Sequence, residues 1–432
     1  MSPIRSRVLA GASFAALVAL FSVPALPSPA TAQEGDSNRV VDPSLYRGVQ
    51  ARLVGPTRGG RVTAVEGLAE KPHTYYMGAV GGGVWKTTDA GETWNNITRS
   101  QLEVAAIGAV EVAPSDRSVI WVGTGSGGVR GNVSPGNGVH RSTDGGETWE
   151  HVGLPESGHI HKIAVHPKDP DVAYVAALGS VFGPNEERGV YRTTDGGESW
   201  ERVLHVSEHT GAIEVKMHPD NPRILYAVMW KAERKPWGMF SGADEGGIYK
   251  SKDGGESWTK LTRGLPSKVG RIGVSVSPAD PDRVYALVES TRDSMGLYRS
   301  SDAGRSWELV NTNRNLTARA WYYMHVTASP EDVDELYVSG EGFYGSVDGG
   351  ESFRPYDTPH GDHHDLWINP KHPDIWIQGN DGGATVTFTA GETWSTQHNQ
   401  PTAEFYTVST DDQFPYRVYA PQQDNSTMTL PS

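Results

Sequence analysis

Short runs of alternating apolar and polar residues, separated by clusters of Gly, Pro and Asp, extend along most of this chain. Residues 161–166 form one alternating run, and the apolar run 172–177 follows it after the turn sequence 167–171. Two further runs, 189–193 and 200–204, complete the group. A period of two bounded by turn residues is typical of β-strands, so this group predicts four consecutive strands.

The group recurs about every fifty residues, and each copy contains the phrase Ser/Thr-x-Asp-x-Gly-x-Ser/Thr-Trp. The sixth copy ends in Phe353 instead of Trp, and the seventh has Thr389 in place of Asp. A period of this length suits one four-stranded sheet per repeat, arranged radially. The sequence therefore predicts an all-β fold, a seven-bladed β-propeller of four-stranded blades over residues 57–400.

The phrase itself has the residues that a tight turn requires. Its Asp and Ser/Thr side chains bond to nearby backbone, and its Gly adopts angles that other residues resist. The final Trp covers the sheet edge and buries on the order of 200 Å². Residues repeated around a ring cannot all belong to one active site, so we interpret the phrase aspartates as structural. They are Asp89, Asp144, Asp195, Asp253, Asp302 and Asp348.

The first 32 residues are organised like an export signal. Arg5 and Arg7 precede an apolar run, and small, helix-breaking residues follow and end in an A-x-A motif at Ala32. We predict a signal peptide over residues 1–32, with an uncleaved anchor as the alternative. The mature protein would be exported, periplasmic or secreted, as in bacteria. Residues 33–56 would form a lead-in, and no later stretch is apolar enough to span a membrane.

Composition restricts the chemistry of the chain. It has no Cys, which excludes disulfides and thiolate catalysis. Its formal net charge of −14 argues against nucleic acid and anionic membranes as partners. The 51 Gly and 28 Pro fit a fold with many tight turns. No pattern indicates a cofactor, and we expect none.

The tail, residues 401–432, follows the seventh repeat and contains no further phrase. Residues 404–409 and 416–420 predict the first two strands of another blade. The tail would either close the ring by pairing with the first blade or begin a second, tandem propeller. The second interpretation is favoured because the seventh repeat already predicts four strands. It implies that a C-terminal second propeller is missing from this chain and that the ligand cleft lies between the two.

The repeated phrase resembles the Asp-box, or BNR repeat, of sialidases, sortilin-type propellers and family 74 xyloglucan hydrolases. Its seven copies extend the resemblance over residues 58–398. The glycine-rich phrases at residues 81–87 and 379–383 look most like bacterial exported proteins described as sortilin-like or glycosyl hydrolase-like. The resemblance implies the architecture but not the function, because such proteins include both enzymes and non-catalytic binders.

The resemblance also implies where a ligand would bind. Asp-boxes would lie on one face of the ring, and the inner strands would begin on the opposite, ligand-binding face. The connections between second and third strands are long in blades two to four, which predicts a walled cleft. Trp230, Trp237 and Phe240 would be available there for stacking. The candidate ligand-binding residues are Arg61, His159, His161, Arg271, Tyr322, Tyr323, His363, His364, Trp230 and Trp237.

Two segments of this face have more than one interpretation. Residues 360–365 have the composition of a metal site, but strand alternation sends His363 and His364 to opposite faces. A hydrogen-bonded polar plug at the channel mouth is favoured, and we expect no metal. By the same alternation, Tyr322 and Tyr323 cannot both point inward, so at least one of them belongs to the core.

The resemblance gives only weak catalytic candidates. A glycosidase normally uses two carboxylates near the scissile bond. Family 74 enzymes carry one catalytic Asp in the first blade, where this chain has Val80. Their second Asp lies in a second propeller, and Asp424 falls one place away from it when the tail is aligned on the first blade. The weak candidates on the predicted face are Asp362, Asp365, Asp244 and Glu245.

A sialidase would need arginines for the sugar carboxylate, and Arg61, Arg271 and Arg319 are of the right type. Salt-bridged channel arginines are the favoured interpretation, and the Arg-Ile-Pro start of sialidases is replaced by Arg61-Val62-Thr63. We predict a non-catalytic module that binds a peptide, protein or glycan through its axial face. A glycoside hydrolase acting on polysaccharide is the alternative, and a sialidase is less favoured.

Overall fold

The computed structural model describes residues 53–432 together with Asp42, Leu45 and Gly48. The predicted signal peptide, 1–32, and most of the lead-in, 33–56, lie outside the described residues. The chain divides into two compact units, Met1–Leu53 and Val54–Ser432, and every described strand belongs to the second. No helix among the described residues is both long enough and apolar enough to cross a bilayer.

Successive strands pair as antiparallel hairpins, as the period-two runs predict. The first sheet contains β1 (Val62–Leu68), β2 (Lys71–Ala79), β3 (Gly83–Thr87) and β4 (Asn95–Asn96). The second contains β5 (Ile107–Val112), β6 (Ile120–Thr124), β7 (Val139–Ser142) and β8 (Glu150–Gly153). The third contains β9 (Ile160–Val165), β10 (Ala173–Ala177), β11 (Gly189–Thr193) and β12 (Glu201–Leu204).

The fourth sheet has an additional strand, because β14 continues past the sheet into a hairpin with β15. It contains β13 (Thr210–Met217), β14 (Leu225–Lys235), β15 (Gly238–Ser241), β16 (Gly247–Ser251) and β17 (Thr259–Lys260). The fifth contains β18 (Ile272–Val276), β19 (Val284–Val288), β20 (Gly296–Ser300) and β21 (Glu308–Asn311). A 3-10 turn over Arg314–Thr317 precedes the sixth sheet, β22 (His325–Ala328), β23 (Leu336–Ser339), β24 (Phe343–Ser346) and β25 (Arg354–Pro355).

The seventh sheet departs from the predicted four strands and has three, β26 (His363–Ile368), β27 (Trp376–Asn380) and β28 (Gly383–Thr387). Irregular backbone takes the place of a fourth strand. The Gln400 amide accepts a hydrogen bond from Ala384 N at 2.9 Å and donates one to Ala384 O at 2.6 Å. A side-chain amide therefore satisfies backbone groups that a fourth strand would otherwise pair.

The tail forms a sheet of its own, β29 (Ser409–Thr410), β30 (Arg417–Pro421) and β31 (Thr427–Pro431), rather than the two strands predicted. These strands pair with one another and not with β1–β4. The start of the first sheet is instead joined to the end of the seventh by Arg58, which forms a parallel bridge with Pro401. Gly59 N adds a 3.0 Å hydrogen bond to Gln397 O.

The first strands of the seven sheets are neighbours in order. β1 contacts β5, and the contacts continue through β9, β13, β18 and β22 to β26, which contacts β1. Apolar side chains fill the spaces between sheets, with Trp121, Trp230 and Trp376 among the largest that are fully buried. The first strands therefore surround an axial channel, and the hydrophobic core lies outside it between the sheets.

The Asp phrases are turns closed by their own side chains. In the third copy, Asp195 Oδ1 accepts hydrogen bonds from Thr193 Oγ1 at 2.8 Å and from Ser199 N at 3.0 Å. Asp195 Oδ2 accepts from Ser199 Oγ at 2.5 Å, and Gly197 N donates to Thr193 Oγ1. In the seventh copy, the hydroxyl of Thr389 replaces the carboxylate and accepts from Thr393 N at 2.9 Å.

These turns predict a dependence of stability on pH. Hydrogen bonds from Ser199 and Thr193 lower the pKa of Asp195 to about 2. A lowered folded-state pKa adds stability above the unfolded value of about 3.9, and that stability is lost as pH falls through the folded value. Asp195→Asn should therefore melt below wild type at pH 7, with the difference shrinking progressively between about pH 4 and pH 2.

Thermal unfolding at pH 7, 4 and 2 measures this effect. Asp412→Asn is the matched control, because Asp412 is exposed and belongs to no Asp phrase. Its melting temperature should follow that of wild type at every pH. A melting difference for Asp195→Asn that stays constant down to pH 2 would show that the carboxylate charge does not stabilise the turn.

Candidate functional site

A buried ion pair lies at the mouth of the channel, the end at which the first strands begin. Arg61 directly precedes β1, and Asp381 lies in the turn between β27 and β28. Arg61 Nε is 2.7 Å from Asp381 Oδ1 and Nη2 is 2.9 Å from Oδ2, and both side chains are 2% exposed. Burial acts to raise the pKa of Asp381, but His364 and Arg61 outweigh it and hold that pKa well below its ordinary value.

The turn between β30 and β31, residues 422–425, packs onto this mouth. Gln422 donates a 2.5 Å hydrogen bond from Nε2 to Gly59 O. Asn425 donates from Nδ2 to Asp381 O at 3.2 Å. The tail is therefore attached at the mouth of the channel through side chains of the turn between β30 and β31.

Two tail carboxylates extend the buried pair toward solvent. Glu404 bridges Arg61 Nη1 at 2.6 Å and Arg130 Nη2 at 3.0 Å. Asp424 Oδ2 is 3.3 Å from Arg61 Nη2, and its side chain is 40% exposed. Burial and a contact with Asp381 raise the pKa of Asp424. The shifts of Asp424 and Asp381 are therefore opposite in direction, and Asp424 keeps its proton to higher pH than Asp381 does.

Both adjacent tyrosines point toward this mouth, in contrast to the expectation from strand alternation. Tyr322 OH donates to Asp381 Oδ1 at 3.2 Å, and Tyr323 OH donates to Asp362 Oδ1 at 2.5 Å. Their rings contact the His364 ring with centroid separations of 5.1 and 5.7 Å. Residues 318–322 form a turn and β22 begins only at His325, so neither tyrosine lies in a strand and the alternation rule does not apply to them.

A second buried network lies deeper in the channel, around Arg271. Its Nη2 is 3.2 Å from both His161 Nε2 and His325 Nε2, and its Nη1 donates to Tyr322 O at 2.8 Å. His325 Nδ1 is 3.3 Å from Glu214 Oε1. Burial, followed by the Arg271 charge, holds the pKa of both histidines well below the ordinary value. Neutral imidazoles therefore accept from the guanidinium.

This cluster has the ligand types of a metal site. One ligand atom each from His161, Glu214 and His325 lies within 4.8 Å of the others. However, Arg271 Nη2 lies 3.2 Å from the Nε2 atoms of both histidines. The guanidinium therefore occupies the position in which a metal ion would accept the lone pairs of these two nitrogens. A divalent ion bonded at about 2.0–2.1 Å would have to displace this guanidinium. The residues therefore fit an arginine network better than a metal.

Further along the axis, charged side chains line a cavity of about 430 Å³. Lys162 Nζ is 2.7 Å from Asp365 Oδ1, and Asp365 Oδ2 accepts from Val65 N at 3.1 Å. Burial raises the pKa of Glu111 to about 7 and raises that of Glu66 well above its ordinary value. The channel interior is thus polar, and burial favours the protonated form of Glu66 and Glu111.

The hairpin β14–β15 and the neighbouring connection 179–188 form one wall of the mouth. Arg234 N donates to Val181 O at 2.6 Å, which ties the two segments together. Three exposed aromatic side chains lie on this wall, Phe182 (44% exposed), Trp237 (79%) and Phe240 (53%), and we call them the aromatic ledge. The Arg234 guanidinium lies 5.6 Å from the Trp321 ring, which contacts the Tyr322 ring. The ledge is therefore continuous with the mouth.

The remaining candidate ligand residues are less accessible. Trp230 is fully buried, and its Nε1 donates to Ser241 Oγ at 2.9 Å, so it supports the hairpin and offers no face for stacking. His159 is also fully buried. His363 packs against the Phe343 ring at 5.6 Å, away from the partners of His364.

The four weak catalytic candidates do not converge. Asp365 lies inside the channel, paired with Lys162. Asp362 lies at the mouth, bound by Tyr323 and by Arg319 at 3.3 Å. Asp244 and Glu245 lie in the connection between β15 and β16, where Asp244 is exposed and Glu245 accepts from the Ser207 hydroxyl at 3.0 Å.

Several residues of these networks are not predicted from the sequence. Asp381 lies in the glycine-rich phrase at 379–383, which indicates only a resemblance to other proteins. Glu214 and His325 are charged or polar residues within or at the start of first strands, β13 and β22, where apolar residues otherwise predominate. An ionisable residue at an inward position of a first strand was the available signal, because only the channel or a paired partner can accommodate it.

Consecutive antiparallel sheets, turns closed by aspartate side chains and a charged axial channel define an all-β, propeller-like fold. Residues 137–294 match the family model described as "Sortilin, neurotensin receptor 3". This match confirms the predicted resemblance to sortilin-type propellers.

A curated relative supports the second predicted resemblance. Xyloglucanase Xgh74A of Acetivibrio thermocellus is 28% identical over 196 residues, which cover 38% of this chain and 20% of that protein. The matched region thus spans about a fifth of the length of that relative.

Two solved structures show the same fold at low sequence identity. An ancestral GH74 enzyme superposes with a TM-score of 0.63 at 18% identity, covering 88% of this chain and 54% of that one. YCF48 bound to D1 peptide superposes with a TM-score of 0.50 at 15% identity, covering 78% of this chain and 95% of that one. The first of these proteins is an enzyme and the second binds a peptide, so fold alone does not separate catalysis from binding.

Proposed function

We propose that residues 57–400 form a closed ring of seven blades. The support is the unbroken circle of first-strand contacts, in which β26 returns to β1. The bridge between Arg58 and Pro401 ties the two ends of the ring together. In this arrangement the Asp-box turns face away from the mouth at which Arg61 and Asp381 meet.

We further propose that the protein binds a glycan across this mouth, along the aromatic ledge. The observation that carries the proposal is Trp237, which is 79% exposed on a hairpin held by strand pairing and by the Arg234–Val181 hydrogen bond. An exposed large aromatic on a rigid element costs free energy in water, and a sugar ring covers such a face favourably. The similarity to a xyloglucanase supports a β-glucan-type chain as the ligand.

The polar groups of the mouth would orient the bound chain. Arg61 and Asp381 satisfy each other, but Asp424 and Glu404 are 40% and 30% exposed and present oxygens to solvent. A glycan hydroxyl can donate to such carboxylates while its ring stacks on the ledge. Because the mouth is built on strand ends, these groups are held in place before the ligand arrives.

Glycoside hydrolysis is the second candidate function, and Asp424 is the observation that favours it. A general acid needs a raised pKa and access to the leaving oxygen, and Asp424 has both properties. Its nearest carboxylate, Asp381, has both oxygens bound by Arg61 and lacks a free position for a water nucleophile. Binding is therefore the primary proposal. The export predicted from residues 1–32 would bring the protein to extracellular glycans.

Titration calorimetry with a xyloglucan oligosaccharide tests the proposal. Trp237→Ala should weaken binding at least tenfold, about 1.4 kcal/mol, because it removes the stacking face and leaves the mouth intact. Phe414→Ala is the matched control, since Phe414 is a fully exposed aromatic in the tail, and it should bind like wild type.

A wild type that does not bind the oligosaccharide, or a Trp237→Ala variant with unchanged affinity, would refute the glycan site. Reducing-sugar release from xyloglucan by wild type and Asp424→Asn separates the two functions. Release that disappears in Asp424→Asn establishes a hydrolase with Asp424 as its acid. Binding without release establishes a non-catalytic module.

A further inference from the structure

A basic pocket of about 360 Å³ lies between the fourth and fifth sheets, on the side of the Asp-box turns. Its cationic lining residues are Lys250, Lys252, Lys260, Arg263 and Arg305. The chain as a whole carries a net charge of −14, so this concentration of positive charge reverses the local sign. The pocket is separate from the channel mouth and from every residue of the aromatic ledge.

Three of these cations donate to neutral backbone carbonyls. Lys250 Nζ donates to Ala303 O at 2.6 Å, and Arg305 Nε donates to Asp302 O at 3.0 Å. Lys260 Nζ donates to a backbone carbonyl, that of Asp244. Within the described part of the chain, none of the five cations has a carboxylate oxygen within 4.0 Å. Their charge is therefore not neutralised by ion pairing.

The preceding junction between sheets shows how the third repeat neutralises this position. Arg192 of β11 occupies the same place in the third repeat as Lys250 does in the fourth. It pairs with Glu201, directly after the Asp-box Trp of its own repeat, at 2.6 Å. It also pairs with Glu256, in the Asp-box of the next repeat, at 2.6 Å.

The following junction repeats the arrangement. Arg299 of β20 pairs with Glu308 of its own repeat at 2.8 Å. It also approaches Glu351, in the next Asp-box, at 3.7 Å. Two carboxylates, one from each side of the junction, therefore surround the equivalent cation both before and after the fourth sheet.

At the junction of Lys250, both carboxylates are replaced. Thr259 stands where Glu201 and Glu308 stand in their repeats, and Arg305 stands at the Asp-box position of Glu256. That Asp-box position is acidic in the other six copies, which carry Glu92, Glu147, Glu198, Glu256, Glu351 and Glu392. One junction in the ring thus exchanges a carboxylate pair for a neutral residue and an additional cation.

The absence of paired carboxylates affects the pKa of Lys250, a buried residue that lines the pocket. Burial, followed by repulsion from Lys252 and Arg305, lowers the pKa of Lys250 to about 8. Asp282 and Asp302 oppose this shift only at a distance. Like charges gathered without counter-charges are destabilising, and an anion bound among them relieves the repulsion.

We propose that this junction is a binding site for a small phosphate or sulfate ester that replaces the missing carboxylate pair. The volume falls within the roughly 300–1,000 Å³ of small-molecule sites, so it admits a sugar-sized group beside the oxyanion. The Arg305 guanidinium matches the geometry of an oxyanion, and the lysines add point charges. Ser257, Thr259 and Thr262 line the pocket with hydroxyls for the neutral part of the ester.

The experiment compares ligands by titration calorimetry at low ionic strength. The probes are glucose 6-phosphate, glucose 6-sulfate and neutral glucose. Wild type should bind at least one ester with a dissociation constant of about 1 mM or lower, and bind glucose at least tenfold more weakly. Added salt should weaken ester binding because it screens the charges. Tighter binding of one ester identifies phosphate or sulfate as the group that the site recognises. Equal affinity for the two esters shows that the site recognises the negative charge itself.

Arg305→Glu restores the residue of the other six repeats and should weaken ester binding at least tenfold while the protein remains folded. Thr259→Glu restores the second carboxylate independently and should have the same effect. Lys168→Glu makes the same change of charge at an exposed turn of the third sheet and should leave ester binding unchanged. Xyloglucan oligosaccharide binding should be unaffected in all three variants, which separates this site from the mouth.

Failure of wild type to bind either ester would overturn the proposal. It would also be overturned if Lys168→Glu weakened binding as much as Arg305→Glu, because net charge rather than this pocket would then account for the interaction. Ester binding that is unchanged in both Arg305→Glu and Thr259→Glu would also overturn the proposal, because the ester would then bind elsewhere.

Discussion

Asp381→Ala is expected to lower the free energy of unfolding by about 3 kcal/mol, the lower end of the cost of breaking a buried ion pair. The variant leaves Arg61 with its guanidinium 2% exposed and without its bidentate partner. It also removes the acceptor of His364 Nε2 at 2.7 Å and of Tyr322 OH. Glu404 remains near Arg61 and limits the loss, which places the expectation at the lower end.

Urea denaturation followed by tryptophan fluorescence measures this loss, as a shift of the midpoint. Asp381→Asn keeps the shape and one acceptor oxygen, so it should lose less than Asp381→Ala. Asp412→Ala, at an exposed aspartate of the tail, should stay within about 0.5 kcal/mol of wild type. A loss below about 1 kcal/mol for Asp381→Ala would mean that Arg61 finds adequate compensation without its buried partner.

Arg271→Met should also cost about 3 kcal/mol, because the arginine, which precedes β18 of the fifth sheet, donates to residues of the third and sixth sheets. Without it, Tyr322 O and the Nε2 atoms of His161 and His325 lose their partner, and Glu214 remains buried. Methionine fills much of the volume but donates no hydrogen bond. The cost is therefore electrostatic and polar rather than a matter of packing.

The pH dependence of this loss distinguishes it from a packing defect. In wild type, burial and the Arg271 charge depress the pKa of His161 and His325, so folding opposes their protonation below their unfolded pKa of about 6.5. Removing Arg271 lessens that depression. The stability lost by Arg271→Met should consequently be smaller at pH 5 than at pH 8.

Urea denaturation at both pH values measures the difference. Arg292→Met replaces an exposed arginine in a loop and should change stability by no more than about 0.5 kcal/mol at either pH. An equal loss at pH 5 and pH 8 for Arg271→Met would argue that the histidines do not respond to the guanidinium.

Most of the fold can be predicted from short-range sequence patterns. Alternating runs such as 161–166 become strands such as β9, and the Asp phrases become turns closed by residues such as Asp195. These features depend on neighbours within a few residues, so a single sequence is sufficient to predict them. The seventh sheet was predicted less well, because Gln400 substitutes for a strand through a side-chain contact that no periodicity records.

The site was predicted only by type of residue. Arg61, Arg271 and His364 are candidates because each lies at or next to the start of a first strand, and the structure places them along the channel and its mouth. Their partners come from distant positions, since Asp381 is 320 residues from Arg61. The sequence predicts the same stacking role for Trp230 and Trp237, yet the hairpin β14–β15 buries Trp230 and exposes Trp237.

The sequence by itself determined the class of fold, because a repeated turn phrase and a period of two encode strands and hairpins locally. It also encoded the irregular junction at Thr259 and Arg305, which a comparison of the repeats reveals. Only the tertiary structure decided which charges meet, which of them are neutralised, and that the turn at 422–425 covers the mouth. Coulombic and hydrogen-bonding interactions act over a few ångströms in space, so residues hundreds of positions apart become partners only when the ring brings their strands together.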